Sequence, residues 1–322
     1  MEISNKEFKL LNKIVIPGET KILELNIATL HTMTELKVPI IVSRSIYDGP
    51  VVLLIAGLHG DELSGIEIVR QIISRNIHQP QKGTIICMPL VNVFGFVNQA
   101  RDFPDGRDLN RVFPGSANGS LASRYAYHIM QEIIPNVDYV IDYHSGGSGR
   151  YNAAQIRIEP DQPELQKLAK AFAPPFILYS KNIEGSLRQA CDKLGIKYLL
   201  FEGGKALDIP VNIIEDGVQG TMRFLDYLLM LNKKHFSSIP AKKCIEITSS
   251  TWLRANTSGL FHSHVFRGEY VKEGDILAKI SDPYGFQEES IYAPNDGFII
   301  CDNETPIVFQ GDAIYRISTK TL

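Results

Sequence analysis

The sequence predicts an α/β protein with a mixed sheet flanked by helices, followed by a smaller C-terminal all-β domain. Apolar runs of strand length, unbroken at 51–56, lead into polar residues and glycines at 51–60, 137–147 and 197–204, as buried strands of an α/β sheet do. Segments with apolar residues at helical spacing lie between these runs. Beyond residue 241 the helical spacing stops and short apolar segments alternate with turn residues, which is typical of an all-β unit.

Length and composition are those of an ordinary globular protein. The 322 residues are 44% hydrophobic and 21% charged, with a net charge of -3, so the chain is long enough for one large domain and a small one. We place the domains at 1–238 and 239–322. Because the charge gives no general basic field, nucleic acid is not an expected partner.

The N-terminus is charged and lacks an apolar core, and no apolar run approaches the ~18 residues that span a membrane. We therefore expect a cytoplasmic protein without a membrane partner, and we leave homo-oligomerisation open. The cysteines lack the C-x-x-C spacing of a zinc knuckle, so buried free thiols are expected. They are Cys87, Cys191, Cys244 and Cys301.

The N-terminal segment is predicted to be rich in strands. Strands are expected at 22–27 and 38–42, where Pro39 favours a sheet edge, and the turn residues 47–50 precede the buried strand 51–56. Helical periodicity and apolar runs then assign the remaining elements in order. These are helix 61–75, strand 84–88, loop 89–115, helix 119–135, strand 137–144, helices 163–173 and 184–195, strand 197–204 and helix 216–231. The long loop has no repeating face, and loops of such length tend to be functional.

Polar side chains stand at the ends of three predicted strands. His59 and Glu62 follow the first, His144 ends the second, and Glu202 ends the third. Residues three apart share a helix face, and carboxyl strand ends form the usual ligand site of an open α/β sheet. A catalytic zinc commonly takes two histidines and one glutamate. Asp142, two residues before His144 on a strand, could hold its other ring nitrogen.

The order of four motifs resembles that of the succinylglutamate desuccinylase and aspartoacylase family. The motifs are G-x-H-G-D-E at 57–62, D-G-R-D-L-N-R at 105–111, D-Y-H at 142–144 and F-E-G-G at 201–204. The resemblance covers about 45–235 and implies a zinc amidohydrolase on a zinc carboxypeptidase-like fold.

The same resemblance implies roles for individual residues. Glu202 would be the general base that takes a proton from water and passes it to the leaving amine. The ligands of one Zn²⁺ would be His59, Glu62 and His144, and the pair that grips a substrate carboxylate would be Asn110 and Arg111.

The family also supplies an arginine upstream of the Asn-Arg pair as a donor to the amide oxygen. Two arginines of this chain, Arg101 and Arg107, lie there. We favour Arg101, and expect Arg107 to brace the loop through Asp105 or Asp108.

Each of these residues also has a structural alternative. His59 could cap a helix whose positive end Glu62 complements. His144 alone would more often be a satisfied buried histidine than a ligand. Glu202 could cap a turn, and Asn110 could form a turn with the next arginine on a solvated face.

The C-terminal region resembles the biotinyl or lipoyl carrier hammerhead, through V-x-x-G-D-x-L-A-K-I at 271–280 and A-P-x-D-G at 293–297. A carrier needs a lysine at the hairpin tip between these halves, and none lies between Ile280 and Ala293. We therefore predict a barrel-sandwich domain without attachment, packed beside the active site to limit substrate size. Tyr292 is expected to pack rather than to reach the pocket.

Together these patterns predict a zinc-dependent deacylase that hydrolyses the amide bond of an N-acyl amino acid or a related small carboxylate-bearing amide. The alternatives are a metallocarboxypeptidase acting on short peptides and a metal-free, non-catalytic binding protein. The candidate counter-charges for the substrate are Arg150, Arg157 and Lys181, and the sequence does not favour one over the others. The loops expected to select it are 145–160, 176–186 and 203–212.

Overall fold

The computed structural model describes residues 7–235 and 243–322. Its α-helices are α1 (Leu63–Ser74), α2 (Val93–Asn98), α3 (Leu121–His128), α4 (Pro163–Phe172), α5 (Leu187–Lys193) and α6 (Val211–Tyr227). Its first ten strands are β1 (Phe8–Leu10), β2 (Lys13–Val15), β3 (Thr20–Thr29), β4 (Glu35–Arg44), β5 (Val51–Ala56), β6 (Thr84–Met88), β7 (Tyr139–Gly146), β8 (Arg150–Ile158), β9 (Phe176–Tyr179) and β10 (Lys197–Lys205). The strands that follow are β11 (Ile245–Arg254), β12 (Gly259–Ser263), β13 (Tyr270–Val271), β14 (Ile276–Ser281), β15 (Glu288–Tyr292), β16 (Gly297–Asn303), β17 (Ile307–Val308) and β18 (Ala313–Thr321).

One twelve-stranded sheet runs through the described chain in the order β13-β16-β18-β11-β9-β8-β10-β7-β5-β6-β4-β3. The four central strands β10, β7, β5 and β6 are parallel to one another. On either side of them, β8 is antiparallel to β10 and β4 is antiparallel to β6. The predicted mixed α/β sheet is therefore confirmed. The carboxyl ends of the central parallel strands meet at one edge, where ligands of such sheets bind.

Side chains of β5 pack on both faces of the sheet. Leu53 and Ile55 belong to one hydrophobic cluster, and Val52, Leu54 and Ala56 belong to the other. Helices α1, α4 and α6 contribute to the second cluster, and α3 contributes to the first. A strand covered on both faces requires apolar residues at every position, which explains the unbroken apolar run.

Two predicted loops contain strands. β8 and β9 lie within the segments 145–160 and 176–186. β8 is buried along most of its length because β10 and β9 flank it in the sheet. Its own sequence, RYNAAQIRI, mixes polar and apolar residues, so its burial depends on its neighbours rather than on local pattern.

Two predicted helices differ at their ends. The helix expected at 216–231 is α6, which begins directly after Pro210 and ends before Leu229, a residue with a φ of 57°. Proline is tolerated just before a first helical turn. The helix expected at 119–135 is α3, which continues as a π-helical turn (Ile129–Ile133) and then a 3-10 turn (Ile134–Asn136).

Pro39 does not mark an edge strand, contrary to prediction. β4 lies between β3 and β6, and Pro39 pairs with Glu24 of β3. β6 pairs with β4 only from Ile41 to Arg44. The missing N–H of proline therefore faces no strand on the β6 side, which makes it tolerable there.

The C-terminal residues 243–322 form strands and no helix in the described part of the chain. A four-stranded sheet of order β15-β14-β12-β17 packs beside strands that continue the large sheet. β11 pairs with β9, and β16 pairs with β8, so hydrogen bonds join this strand-rich region to the first. The predicted boundary between 238 and 239 lies outside the described residues. None of the helices in the described ranges has the length and apolarity that a membrane crossing requires.

Candidate active site

His59 and Glu62 are positioned by the turn between β5 and α1, and not by a shared helix face as predicted. Glu62 is the residue before the first turn of α1, yet its side chain makes no capping hydrogen bond. The turn requires glycine, since Gly57 has a φ of 67° and a Cβ on Gly60 would lie 1.9 Å from the carbonyl carbon of Gly95. Close contact with α2 thus fixes the turn and directs both side chains inward.

The side chains of His59, Glu62 and His144 converge. The Nδ1 atom of His59 lies 2.7 Å from Glu62 Oε1, and Nδ1 of His144 lies 2.8 Å from Glu62 Oε2. The two Nδ1 atoms are 3.2 Å apart. The backbone N–H of Ser145 also donates to Glu62 Oε2 at 2.9 Å. All three side chains are buried, with exposed fractions of 2–4%.

Each histidine contacts a carboxylate through its other ring nitrogen. Nε2 of His59 lies 3.1 Å from Asp108 Oδ1, and Nε2 of His144 lies 2.8 Å from Asp142 Oδ2. The Tyr198 hydroxyl donates to the same oxygen of Asp142. These carboxylates hold the ring orientation and leave both Nδ1 atoms directed at the shared centre.

Electrostatics in this centre favour an ionised carboxylate. Burial alone would raise the pKa of Glu62, but the charges of His59 and His144 hold it well below its ordinary value. Burial likewise would lower the pKa of His144, whereas Asp142 and Glu62 raise it well above its usual range. The Glu62 carboxylate is therefore held in its charged form.

This donor set fits a divalent metal ion. Among the residues that the structure describes, His59, Glu62 and His144 form a group whose ligand atoms all lie within 4.8 Å of one another. Imidazole nitrogens and a carboxylate oxygen are ligands of a borderline-soft metal. Histidine ligands in metal sites almost always donate their other ring N–H to a carboxylate, backbone carbonyl or water, and a carboxylate is present for both rings.

Of the two arginines considered for the site, Arg101 lies at its centre. Its Nη1 donates to Glu62 Oε1 at 3.0 Å, and its Nη2 donates to Asp108 Oδ2 at 2.8 Å. Arg107 instead has a side chain that is 54% exposed and lies 3.5 Å from Asp105. The geometry therefore brings Arg101 to the candidate metal-binding group and leaves Arg107 on the loop surface.

Asn110 and Arg111 lie in a 3-10 turn at one wall of the site. The Oδ1 atom of Asn110 accepts a hydrogen bond from the backbone N–H of Leu187 at 2.9 Å. The Arg111 guanidinium donates to the carbonyl oxygen of Asn110 at 2.7 Å. Arg111 is exposed, and both residues line the cavity described below.

Glu202 lies on β10 beside His144 of β7, with which it is in register. Register partners of adjacent strands present their side chains to the same face. The Glu202 carboxylate accepts a hydrogen bond from Asn152 Nδ2 at 2.7 Å and pairs with Arg157 at 3.2 Å. It is thus held by two side chains of β8 rather than by a turn.

A cavity of about 510 Å³ extends from this site to the C-terminal strands, and its lining includes His59, Glu62, Arg101, Asn110, Arg111, His144 and Glu202. Trp252, Cys301 and Arg316 form that distant wall. Tyr292 does not line the cavity, and its side chain is 54% exposed. The prediction that Tyr292 packs in the core is therefore wrong. Positive residues dominate the lining: Arg101, Arg111, Arg150, Arg157, Lys181, Arg188 and Arg316.

Sequence reasoning missed several contributors to the site. Asp108 was considered only as a brace for Arg107, although a candidate ligand at His59 should have prompted a search for its carboxylate partner. Asn152 and Arg316 carried no signal, because their contacts depend on strand pairing between distant segments.

Solved structures of similar fold cover nearly the whole chain. The succinylglutamate desuccinylase/aspartoacylase from Rhodobacter sphaeroides has a TM-score of 0.79 at 21% sequence identity, over 93% of this chain and 94% of that one. The product-bound ectoine utilization protein EutE (DoeB) from Ruegeria pomeroyi has a TM-score of 0.81 at 20% identity, over 98% of both chains. These likenesses establish the fold.

Sequence comparison identifies the family as well as the fold. A curated N-alpha-acetyl-L-2,4-diaminobutyric acid deacetylase from Halomonas elongata is 26% identical over 284 residues, which cover 84% of this chain and 82% of the relative. The family model of the succinylglutamate desuccinylase/aspartoacylase catalytic domain matches residues 48–228. The resemblance predicted from four motifs is thereby confirmed, and the chain belongs to the succinylglutamate desuccinylase/aspartoacylase family.

Proposed function

We propose that the protein is a zinc-dependent deacylase that hydrolyses the amide bond of an N-acyl amino acid. The observation that carries the proposal is the convergence of His59, Glu62 and His144 in one buried group. Two histidines and one glutamate are a common ligand set for catalytic zinc. Zinc held there would supply a Lewis acid that activates water towards an amide carbonyl. The zinc carboxypeptidase-like character of the fold is part of the same proposal.

Glu202 is the proposed general base. It takes a proton from the attacking water and delivers it to the nitrogen of the leaving amine, so that the C–N bond breaks with a neutral amine as product. Its register with His144 supports this role, because both side chains lie on the same face of the sheet. Asn152 and Arg157 hold the carboxylate in place.

Arg101 is the proposed donor to the amide oxygen. Negative charge develops on that oxygen as water adds to the carbonyl carbon, and a fixed guanidinium stabilises it. Asp108 contacts Arg101 through both Nε, at 3.2 Å, and Nη2, at 2.8 Å. The arginine is therefore oriented before substrate arrives, and Asp108 links its position to that of His59.

Asn110 and Arg111 are the proposed site for the carboxylate of the amino acid. A guanidinium matches a carboxylate in geometry and charge, and Arg111 lines the cavity while remaining exposed. The deacetylase relative acts, by its name, on an acetylated amino acid. We therefore propose N-acyl amino acids as the substrate class. We also propose that the enzyme is cytoplasmic.

Hydrolysis of a substrate panel tests this proposal. Zinc-loaded protein is incubated with N-acetyl amino acids, their C-terminal amides and short peptides, and amine release is measured. We expect release from N-acyl amino acids with a free carboxylate. Release of C-terminal residues from peptides alone would favour the carboxypeptidase alternative, and no hydrolysis by the zinc-loaded protein would favour a binding protein.

A matched pair of variants tests the carboxylate site. Arg111→Gln should raise KM for substrates with a free carboxylate more than for their amides, because only the former engage the guanidinium. Arg107→Gln removes the same charge from an exposed position of the same loop and serves as the control. Equal losses on acids and amides in R111Q would remove Arg111 from this role.

A further inference from the structure

The strand that neighbours β8 changes along its length. β9 pairs with β8 from Gln155 to Ile158, whereas β16 of the C-terminal region pairs with it from Arg150 to Asn152. β10 flanks β8 on the other side. The position of residues 150–152 therefore depends on a strand of the C-terminal region.

Asn152 lies where the ladder between β8 and β10 is irregular. Gln155 pairs with Glu202, and the register shifts before Asn152 pairs with Gly204. Irregularities of this kind redirect side chains and are frequent beside active sites. The Nδ2 atom of Asn152 donates to Glu202 Oε2 at 2.7 Å across this irregular stretch. On its other side Asn152 pairs with Cys301 of β16, so β16 supplies a constraint on Asn152 that β10 supplies only in part.

Arg267 fastens β16 to this end of β8. Its Nη1 donates to Asp302 Oδ2 at 3.1 Å and to Glu304 Oε1 at 2.6 Å. Its guanidinium carbon lies 3.5 Å from the centre of the Tyr151 ring, a cation–π contact. Tyr151 precedes Asn152 on β8 and pairs with Asp302 of β16. The arginine therefore contacts both strands of the ladder, although it does not line the cavity itself.

Glu304 extends these contacts to β10. Its Oε2 lies 2.6 Å from Nζ of Lys205, the last residue of the strand that carries Glu202. Its backbone N–H donates to the carbonyl oxygen of Gly149, in the turn before β8, at 2.9 Å. The ends of β8, β10 and β16 are thus joined around Arg267.

The ion pair between Arg267 and Asp302 carries a cost. Asp302 is 2% exposed, and its Oδ1 has no hydrogen-bond partner in the described ranges. Burial raises the pKa of Asp302 to about 6, and the charge of Arg267 opposes that rise. Apolar residues of similar volume often hold a contact as well as a buried ion pair does. What the pair supplies is therefore a defined geometry between the strands rather than much stability.

We propose that Arg267 is a positioning residue for Glu202, the proposed general base. Arg267 fastens β16 to β8, β16 holds Asn152 in place, and Asn152 orients the Glu202 carboxylate. The inference rests on the proposed deacylase function. It gives the C-terminal strands a role in turnover besides forming one wall of the cavity.

Kinetics of a double variant test this proposal. Arg267→Met alone would leave a buried carboxylate unpaired and risk unfolding, so it is combined with Asp302→Leu, which removes the partner charge at similar shape. For the best N-acyl amino acid of the substrate panel, kcat should fall about 10–100-fold, as for a misplaced catalytic group, while KM and the zinc Kd stay close to wild type. Arg254→Gln is the control, because Arg254 donates to the carbonyl oxygen of Gly311 within the C-terminal region and lies outside the cavity. A wild-type kcat in R267M/D302L would overturn the proposal and leave the deacylase standing.

A mutant cycle with Asn152→Ala separates positioning from general stabilisation. Residues that act as a unit have non-additive effects, so R267M/D302L should cost no further kcat in the N152A background. Losses that multiply would overturn the route through Asn152. If R267M/D302L does not fold, Tyr151→Leu removes the ring beneath Arg267 and leaves both ion pairs. The same fall in kcat and the same cycle are then expected of Y151L, and a wild-type kcat would again overturn the proposal.

The side-chain amide of Asn152 gives a readout that does not depend on hydrolysis. In NMR spectra of protein containing ¹⁵N-labelled asparagine, its NH₂ signals are those that N152A lacks, and they report on the hydrogen bond to Glu202. We expect these signals to shift in R267M/D302L and to stay in place in R254Q. If the wild type hydrolyses no substrate, such a shift retains the link from Arg267 to the Glu202 carboxylate and overturns the deacylase alone. Unchanged signals would overturn both.

Discussion

Asp142→Asn is a sharp test of how the proposed metal-binding group is held. Asp142 is fully buried, and its Oδ2 lies 2.8 Å from Nε2 of His144 and accepts a hydrogen bond from Tyr198. A histidine that binds zinc through Nδ1 carries its proton on Nε2, and a carboxylate opposite that proton raises the basicity of the ligand. The amide of D142N can accept the same hydrogen bond but carries no charge.

Two separate effects follow from this geometry, one on metal affinity and one on folding stability. Loss of a partner behind a metal ligand typically lowers metal affinity by about 10–100-fold, equivalent to roughly 1.4–2.7 kcal/mol. Oδ1 of Asp142 is buried without a hydrogen-bond partner in the described chain. An amide NH₂ at that position would be unsatisfied, which costs about 1–3 kcal/mol of folding stability.

Competition between protein and a chelator measures the zinc Kd, and urea unfolding of the metal-free proteins measures the stability term separately. Tyr198→Phe is the control, because it removes the other donor to Oδ2 and keeps the carboxylate charge. We expect a smaller change in Kd for Y198F than for D142N. A folded D142N protein with wild-type zinc affinity would refute the proposed action of Asp142 through His144.

Three further predictions concern the proposed catalytic base, the proposed metal and the turn between β5 and α1. Glu202→Gln should retain zinc but lose about 10²–10⁴ in kcat; near-normal turnover in steady-state assays would remove it from the mechanism. Free zinc at 100 times its Kd should raise the unfolding free energy by about 2.7 kcal/mol, and His59→Ala should abolish this gain in urea titrations. Gly60→Ala should destabilise the protein by about 1–3 kcal/mol or more, because its Cβ would lie 1.9 Å from Gly95; unfolding curves identical to wild type would contradict that contact.

Local sequence was sufficient for much of the fold and for the proposed metal ligands. The apolar run of β5 predicts a doubly covered strand, and the core clusters on both of its faces agree. His59, His144 and Glu202 each follow such a run, so parallel packing of the strands brings them to one edge. That inference needs only strand type and direction, which neighbouring residues encode.

The same reasoning failed where structure depends on partners distant in sequence. β8 has no continuous apolar run, and its burial comes from the strands on either side. The helix-face argument for His59 and Glu62 was wrong because a tight turn, fixed by the approach of Gly60 to α2, already brings them together.

The sequence by itself determined the strand-end placement of the histidines and glutamates, and the motifs that indicate the family. Only the tertiary structure decided that Asp108, 49 residues from His59, orients that ring, and that Arg316 faces the cavity of Glu202. The physical reason is that periodicity reflects forces between residues close in the chain. The order and register of strands instead result from packing of the whole sheet.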